Sequence, residues 1–320
     1  MSSFWDLHSR GIKAARRRIA PYIIRTPCLE IDQAATMKLE NFQIIGAFKT
    51  RGAFNALLRI VEGGNPPGVV TMSSGNHAQA IAFAARALGV HAVVLVNEDA
   101  NTTKVNCVRA LGAEVIQSGV SIWTRERMIE KVVEERGYIF VHPYDHWDVI
   151  HGQATVVSEI LEDNPDVGVI IVPVSGGGLI SGVALAAREW DPRIRIIGVE
   201  PDSASDARES LQSGVLQRLV HSSMTMADGA RALSIGARNF EVMVKRKLVH
   251  EIVTVTEDEI GDAVGAAFRN LGLRLEPTGA LAYAAYRAHS YISDEANGKL
   301  ALIASGGNVE PEVLFRSLGL

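Results

Sequence analysis

The sequence contains few of the features that mark secreted, membrane-bound or nucleic-acid-binding proteins. Its 320 residues include two cysteines, Cys28 and Cys107, too few for a disulfide framework or a cysteine zinc site. No uninterrupted apolar run approaches the roughly 20 residues that span a bilayer, and the N-terminus lacks the apolar core of a signal peptide. A formal net charge of −4 provides no broad positive field for nucleic acid. We therefore expect a cytoplasmic protein that binds neither membranes nor nucleic acids.

What is present is the composition of an ordinary globular enzyme. Hydrophobic residues make up 47% of the chain and charged residues 21%. Short β-branched runs such as "GVVTMSS" and "HAVVLV" alternate with longer amphipathic runs such as "HAQAIAFAARAL". A second series contains "VGVIIVPVS", "RIRIIGVE" and "KLALIASGG". This alternation is typical of βαβ units on parallel sheets.

The two series predict an α/β fold with two doubly wound lobes and parallel sheets. We expect a large lobe formed by residues 1–67 and 146–320 and a small lobe formed by residues 68–145. The segment "HPYDHWDVIHGQ" would cross between them. In such folds the ligand binds in the crevice at the carboxyl ends of the strands.

Three glycine-rich turns each follow a predicted strand: "SSGNHAQ" (73–79), "SGGGLISG" (175–182) and "SGGN" (305–308). A strand that turns through glycines into a helix directs backbone N–H groups and the positive helix end toward one point, which suits a phosphate. A dinucleotide site is the rival interpretation of "SGGGLISG", and Glu200 stands where a ribose-binding carboxylate would be expected. The spacing does not match, because Ser181 occupies the position of the third glycine.

Several segments together resemble the fold-type II pyridoxal-phosphate (PLP) enzymes of the serine/threonine dehydratase and serine racemase branch. "MKLENFQIIGAFKTRGAFNAL" resembles the lysine segment of that family, "SSGNHAQAIAFAA" its substrate loop and "VPVSGGGLISG" its phosphate loop. "MADGARALSIG", "LEPTGA" and "ASGGNVE" are similar to its remaining signatures. They occur in family order over nearly the whole chain, so the joint match is far more specific than any single glycine turn.

The resemblance implies a role for each matched cofactor residue. Lys49 would bind PLP covalently as a Schiff base, with Phe48 against the cofactor ring. Asn76 would contact the ring hydroxyl, and Ser305 would face the pyridine nitrogen. A serine there, in place of an acid, leaves the nitrogen neutral and suits eliminations over transaminations. The phosphate would be held by the backbone amides of the phosphate loop, which comprises Ser175, Gly176, Gly177, Gly178 and Leu179.

The substrate implied by the resemblance is an amino acid bound at the loop "SSGNH". Ser73, Ser74, Asn76 and His77 would bind its carboxylate at a helix N-terminus. The expected reaction is removal of water from a β-hydroxy amino acid such as threonine, serine or 3-hydroxyaspartate, which yields a 2-keto acid and ammonia. Lys49 would remove the Cα proton. The sequence does not rank these substrates.

Ser74 leaves two activities open. In racemase-like members of the family a serine at this position faces the lysine across the cofactor and can return a proton from the opposite side, whereas many threonine dehydratases have alanine there. A serine racemase-type activity is therefore the first alternative, and carboxylate or phosphate binding by Ser74 is the other interpretation. A β-replacement synthase would share the cofactor and lobes, although "MADG" and "LEPTGA" look more like the dehydratase branch.

The resemblance also implies a cation site and a homodimer. "GVEPDSASDARES" places Glu200, the Ala204 carbonyl and Asp206 as racemase-like members place an oxygen-only divalent-cation site. Oxygen ligands without His or Cys favour Mg²⁺, Ca²⁺ or Mn²⁺ over zinc. The same residues could equally be solvated loop carboxylates. Because the chain ends at Leu320 without an appended regulatory domain, we expect no feedback inhibition through such a domain.

Overall fold

The computed structural model describes residues 3–98, 100, 102–121, 123–290, 292 and 298–320. The helices of the first half are α1 (Phe4–Ile19), α2 (Lys49–Glu62), α3 (Asn76–Leu88), α4 (Thr102–Ala110), α5 (Arg125–Arg136) and α6 (Trp147–Asp163). Those of the second half are α7 (Gly178–Trp190), α8 (Asp206–Ser213), α9 (Ala237–Phe240), α10 (Glu257–Leu271), α11 (Pro277–Ala288) and α12 (Pro311–Leu318). No helix within these ranges is both long enough and apolar enough to cross a membrane.

The strands form two sheets. They are β1 (Cys28–Glu30), β2 (Ala35–Leu39), β3 (Val69–Met72), β4 (Ala92–Leu95), β5 (Glu114–Ile116), β6 (Ile139–Phe140), β7 (Val167–Pro173), β8 (Arg195–Pro201), β9 (Glu251–Val255) and β10 (Lys299–Ala304). A six-stranded sheet has the order β1-β2-β10-β7-β8-β9, and a four-stranded sheet has the order β5-β4-β3-β6. Pairing between these strands is parallel except between β1 and β2. The predicted α/β class is confirmed, whereas the lobe boundaries at 67/68 and 145/146 stay a prediction.

Two features of the large sheet differ from the sequence prediction. β1 and β2 form an antiparallel hairpin at one edge, because the four residues between them are too few for a parallel crossover. The Asp32 carboxylate closes this turn by accepting from the N–H groups of Ala34 (2.8 Å) and Ala35 (3.0 Å). β9 at the other edge was not predicted, because Glu251 and Thr254 interrupt its apolar pattern.

Helix α6 packs against α1, α2 and α7. Glycines permit this close packing: a Cβ on Gly152 would lie 2.6 Å from the Arg51 carbonyl oxygen, and one on Gly182 would lie 2.6 Å from that of Ile150. The arrangement brings the N-termini of α2 and α7 to the carboxyl ends of the strands. All three glycine turns lie at carboxyl ends of strands, since one follows β3 in the four-stranded sheet and two follow β7 and β10 in the six-stranded sheet.

Candidate active site

A cleft of about 1480 Å³ collects the residues predicted from the sequence. Its wall includes parts of the lysine segment and of all three glycine turns. The predicted cofactor and substrate residues that line it are Phe48, Lys49, Ser73, Ser74, Asn76, His77, Ser175, Gly176, Gly177, Gly178, Leu179 and Ser305. Side chains separated by more than 250 positions in the chain thus face one space.

Lys49 is the first residue of α2 and lies half-buried at the cleft. Its Nζ donates to the carbonyl oxygen of Pro143 at 2.9 Å and lies 5.1 Å from the centroid of the Phe48 ring. Burial disfavours the ammonium form and lowers the pKa of Lys49 to about 8. The unprotonated amine is therefore populated near neutral pH, as a Schiff-base nucleophile requires.

The backbone around Lys49 is joined to the third glycine turn. The Phe48 N–H donates to the Ser305 carbonyl oxygen (3.1 Å), and the Gly307 N–H donates to that of Gly46 (2.9 Å). Gly46 has a left-handed φ of 73°, and a Cβ there would lie 2.6 Å from Asn308 Oδ1. These contacts explain the glycine in "IGAF" and hold Ser305 beside Phe48 and Lys49.

A buried ion-pair cluster lies beside the first turn of α2, which contains Lys49. The Arg51 guanidinium, two residues after Lys49, contacts Glu40 Oε1 and Glu159 Oε1, each at 2.7 Å. Lys38 Nζ contacts Glu159 Oε2 at 2.7 Å. Removing one partner from such a cluster leaves an uncompensated buried charge, so the cluster holds α2 firmly against β2 and α6.

The phosphate loop connects β7 to α7, which begins at Gly178. Gly177 has a left-handed φ of 89°, which lets consecutive amides converge before the helix N-terminus. A Cβ on Gly176 would lie 2.2 Å from Cγ of Tyr144, so the loop backbone rests directly on the tyrosine ring. The loop exposes backbone amides and a positive helix end to the cleft, and these features fit a phosphate group.

Asn76 is oriented by two residues that were not among the predicted site residues. Its Nδ2 donates to Glu276 Oε1 at 2.6 Å, and its Oδ1 accepts from Asn308 Nδ2 at 2.8 Å. One Nδ2 hydrogen remains for a ligand in the cleft. Burial raises the pKa of Glu276 to about 7, so this carboxyl is partly protonated at neutral pH. The motifs "LEPTGA" and "SGGN" contained Glu276 and Asn308, but only the fold joins them to Asn76.

The substrate loop, Ser73–His77, offers a helix N-terminus and two hydroxyls. α3 begins at Asn76, and its N-cap Gly75 provides no side-chain hydrogen bond to the first turn. Ser74 is exposed to the cleft, whereas the His77 ring is buried, with Nε2 3.1 Å from Thr71 Oγ1. Burial holds the pKa of His77 well below its usual range, so its imidazole is neutral. The free amides of α3 suit a carboxylate.

The His- and aromatic-rich crossing contributes one aromatic side chain to the cleft wall, that of Tyr144. The His142 ring instead holds the turn, because its Nδ1 accepts from the N–H of Asp145 at 2.9 Å. The His151 ring lies under α1, where its Nε2 is 2.8 Å from His8 Nδ1. Burial lowers the pKa of His151 to about 3 and that of His142 to about 4, so both are neutral structural residues.

The three residues predicted to bind a cation lie outside the cleft wall, at the end of β8 and the start of α8. Both carboxylate oxygens of Glu200 accept backbone N–H groups, from Ala207 (3.1 Å) and Arg208 (2.9 Å). Burial and the nearby Asp206 raise the pKa of Glu200 well above its usual range.

Asp206 shares this acidic environment. Burial raises its pKa to about 7, and its buried Oδ2 has no hydrogen-bond partner in the part of the chain that the structure describes. Across the same residues no group of three or more His, Cys, Asp or Glu side chains could hold a metal. The predicted set contains the carboxylates of Glu200 and Asp206 and the carbonyl of Ala204, and all three residues are buried.

Comparison with known proteins agrees with this geometry. The pyridoxal-phosphate dependent enzyme family matches residues 19–306. A serine racemase from Oryza sativa subsp. indica is 42% identical over 323 residues, which cover 98% of this chain and 94% of the relative. An L-threo-3-hydroxyaspartate ammonia-lyase from Saccharomyces cerevisiae is 36% identical over 303 residues, which cover 92% and 91%. The structure of maize serine racemase has a TM-score of 0.90 at 38% identity and covers 97% of this chain and 96% of that one.

The family match extends over nearly the whole chain and includes every residue of the cleft that was predicted from the sequence. The parallel sheets, the glycine loop at the N-terminus of α7 and the desolvated lysine at the N-terminus of α2 fit the phosphate and the aldehyde of the cofactor. The chain therefore belongs to the pyridoxal-phosphate dependent enzymes, with the fold-type II architecture of serine racemase and threonine deaminase.

Proposed function

We propose that the protein is a PLP-dependent dehydratase, or ammonia-lyase, of a β-hydroxy amino acid such as threonine, serine or 3-hydroxyaspartate. The products would be a 2-keto acid and ammonia. The observation that carries this proposal is the desolvated amine of Lys49, with a pKa of about 8, in one cleft with the phosphate loop and the N-terminus of α3. The ammonia-lyase from yeast, with 36% identity, supports the same reaction class.

Different residues of the chain would bind the substrate, accept its proton and hold the cofactor. The amides of α3 and the Ser73 hydroxyl would bind the substrate carboxylate and orient its Cα toward Lys49. The Lys49 amine would accept the Cα proton, which its lowered pKa allows near neutral pH. Bound PLP supplies the electron sink for the charge that develops at Cα. Asn76 would hold the cofactor ring through its remaining Nδ2 hydrogen, and Ser305 would face the ring nitrogen.

A serine racemase is the second candidate function, and Ser74 is the observation that favours it. Its hydroxyl is exposed to the cleft that also contains Lys49. A racemase needs a second acid–base group that returns the proton to the face opposite the first. The rice relative, at 42% identity, is a serine racemase. The two activities share one carbanion chemistry and differ in whether the β-hydroxyl leaves.

The test of the proposed function is a substrate panel. We expect purified protein with PLP to release 2-keto acid from at least one of L-threonine, L-serine and L-threo-3-hydroxyaspartate, and to shift its visible spectrum with that compound. Recovered serine would be examined by chiral chromatography in the same samples. D-serine without keto acid would favour the racemase over the lyase. Neither product from any compound would contradict both.

A divalent cation at Glu200, the Ala204 carbonyl and Asp206 is part of the proposal. Burial raises the pKa values of Glu200 and Asp206, and the Asp206 charge raises that of Glu200 further, so a bound cation would offset the cost of ionising both. Oxygen ligands of this kind favour Mg²⁺, Ca²⁺ or Mn²⁺. The Oδ2 of Asp206, which has no partner among the residues in the structure, supplies a free acceptor.

Removal of the proposed cation by a chelator should lower the thermal stability of the protein. A ligand at 100 times its dissociation constant stabilises the folded state by about 2.7 kcal/mol, so EDTA should lower Tm by roughly 5 °C and Mg²⁺ should restore it. Glu200→Gln should abolish the Mg²⁺ response, whereas Asp202→Asn, on an exposed carboxylate of the same loop, should retain it. Equal Tm values in EDTA and in Mg²⁺ would contradict the cation site.

The cytoplasmic location and the homodimer stay predictions from the sequence.

A further inference from the structure

A buried asparagine outside the predicted site contacts the phosphate loop from behind. Asn239, in α9, is 0% exposed, and its Nδ2 donates to the Gly176 carbonyl oxygen at 2.6 Å and to that of Tyr144 at 3.2 Å. The Gly236 N–H donates to the same Gly176 oxygen at 3.0 Å. Two donors therefore converge on one carbonyl of the loop.

These hydrogen bonds set the direction of the next amide in the loop. The Gly176 C=O and the Gly177 N–H belong to one planar trans peptide and point in opposite directions. The carbonyl faces Asn239 behind the cleft wall, while Gly176 and Gly177 both line the cleft. Anchoring the carbonyl thus turns the Gly177 N–H away from Asn239 and toward the side on which a phosphate would bind.

The orientation of the Asn239 amide is determined by its surroundings. The opposite assignment of its oxygen and nitrogen would bring Oδ1 against two carbonyl oxygens. As it stands, Oδ1 is buried and lacks a hydrogen-bond partner among the residues described. An unpartnered buried acceptor costs free energy, and an apolar residue that only filled this space would avoid that cost. What distinguishes Asn239 from an apolar residue of the same size is therefore its two hydrogen bonds donated by Nδ2.

The loop backbone also rests on Asn239 directly. A Cβ on Gly177 would lie 2.8 Å from Asn239 Cβ, and the φ of Gly177 is already left-handed at 89°. Glycine is therefore required at this position for two separate reasons. The close approach means that a change at Asn239 acts on the loop with no intervening residue.

We propose that Asn239 is a positioning residue that aims the phosphate-loop amides at the phosphate of PLP and thereby sets the affinity for the cofactor. This inference rests on the assignment of the phosphate loop within the proposed function, and it does not depend on which amino acid is the substrate. Without the Nδ2 donor, the Gly176 carbonyl keeps the Gly236 N–H alone, and the peptide can rotate. The binding energy lost is that of the phosphate contacts and not that of the covalent link at Lys49.

The test compares PLP with pyridoxal, which lacks the phosphate but keeps the aldehyde that reacts with Lys49. Apoprotein would be titrated with each compound and the dissociation constants obtained from the visible spectra. Asn239→Asp is nearly isosteric but directs carboxylate oxygens at both carbonyls, so we expect its Kd for PLP to rise about tenfold or more. Its Kd for pyridoxal should stay within about twofold, because no phosphate contact is involved.

Two further variants make the result decisive. Asn239→Thr retains one hydroxyl donor, should give an intermediate Kd for PLP, and serves if Asn239→Asp does not fold. Asn55→Asp is the matched control, because Asn55 is a buried asparagine whose Nδ2 also donates to a backbone carbonyl, that of Asp148 at 2.7 Å, away from the loop. Asn55 Oδ1 accepts from Arg18 Nη1 at 2.7 Å, so the variant carboxylate can pair with Arg18, and the ratio of the two constants should be unchanged.

Equal changes for PLP and pyridoxal, or no change for either, in the Asn239 variants would overturn the positioning role. A wild-type protein with equal affinity for both compounds would reject the phosphate-loop assignment itself, and the role of Asn239 with it. The substrate panel is scored separately by its products, so a failure there would leave this comparison of cofactor affinities intact.

Discussion

Lys49→Ala is expected to reduce 2-keto acid release by on the order of 10⁴-fold, because it removes the covalent partner of the cofactor and the base for the Cα proton together. Among the described residues that line the cleft, the one other lysine is Lys104, whose Nζ is ion-paired with Asp228 and Glu310. The measurement is kcat for the best substrate of the panel, with PLP in excess.

The variant should remain folded, because the Lys49 side chain makes one hydrogen bond to the backbone and no ion pair in the structure as described. Lys13→Ala is the control, since Lys13 is a surface residue paired with Glu189. It should retain full activity. Keto acid release by Lys49→Ala at the parental rate would show that the chemistry lies elsewhere.

Ser74→Ala should separate the two candidate activities. If Ser74 returns a proton to the face opposite Lys49, its loss should lower D-serine formation by roughly 10²–10⁴-fold, the range for a general acid–base group. Keto acid release should change by only a few-fold, because elimination needs no proton on the second face. Chiral chromatography of recovered serine and a keto-acid assay on the same sample measure both rates.

Ser73→Ala is the matched control for this experiment. Ser73 belongs to the same loop and lines the same cleft, but it is half-buried and its Oγ accepts from the Gly75 N–H at 3.2 Å. A change there should raise KM for both reactions alike. Parallel losses of both activities in Ser74→Ala would assign Ser74 to carboxylate binding, and an absence of D-serine from the wild type would reject the racemase.

The sequence alone predicted the parts of the site that depend on local chemistry. Glycine is required where the backbone adopts a left-handed φ, as at Gly46 and Gly177, so the loops could be recognised without the fold. Strands buried on both faces must be apolar throughout, so β7, β8 and β10 were readily identified. Lys49 could be singled out because it stood among matched motifs.

Contacts between distant segments had no comparable signal in the sequence. Asn76, Glu276 and Asn308 are separated by up to 232 positions, and only strand order brings them within hydrogen-bond distance. Asn239 is an ordinary polar residue in its own segment, and its function appears only where its Nδ2 meets the Gly176 carbonyl. Desolvation likewise depends on the whole fold, so the pKa values of Lys49 and Glu276 could not be foreseen.

The difference between what the sequence predicted and what only the fold determined has a physical origin. Backbone conformation, helix starts and strand burial are determined by a few neighbouring residues, and the sequence therefore determined the fold class, the glycine loops and the candidate lysine. Side-chain partners and the local dielectric are determined by whichever segments the topology brings together. The tertiary structure alone therefore decided the strand order, the partners of Asn76 and the placement of Asn239 behind the phosphate loop.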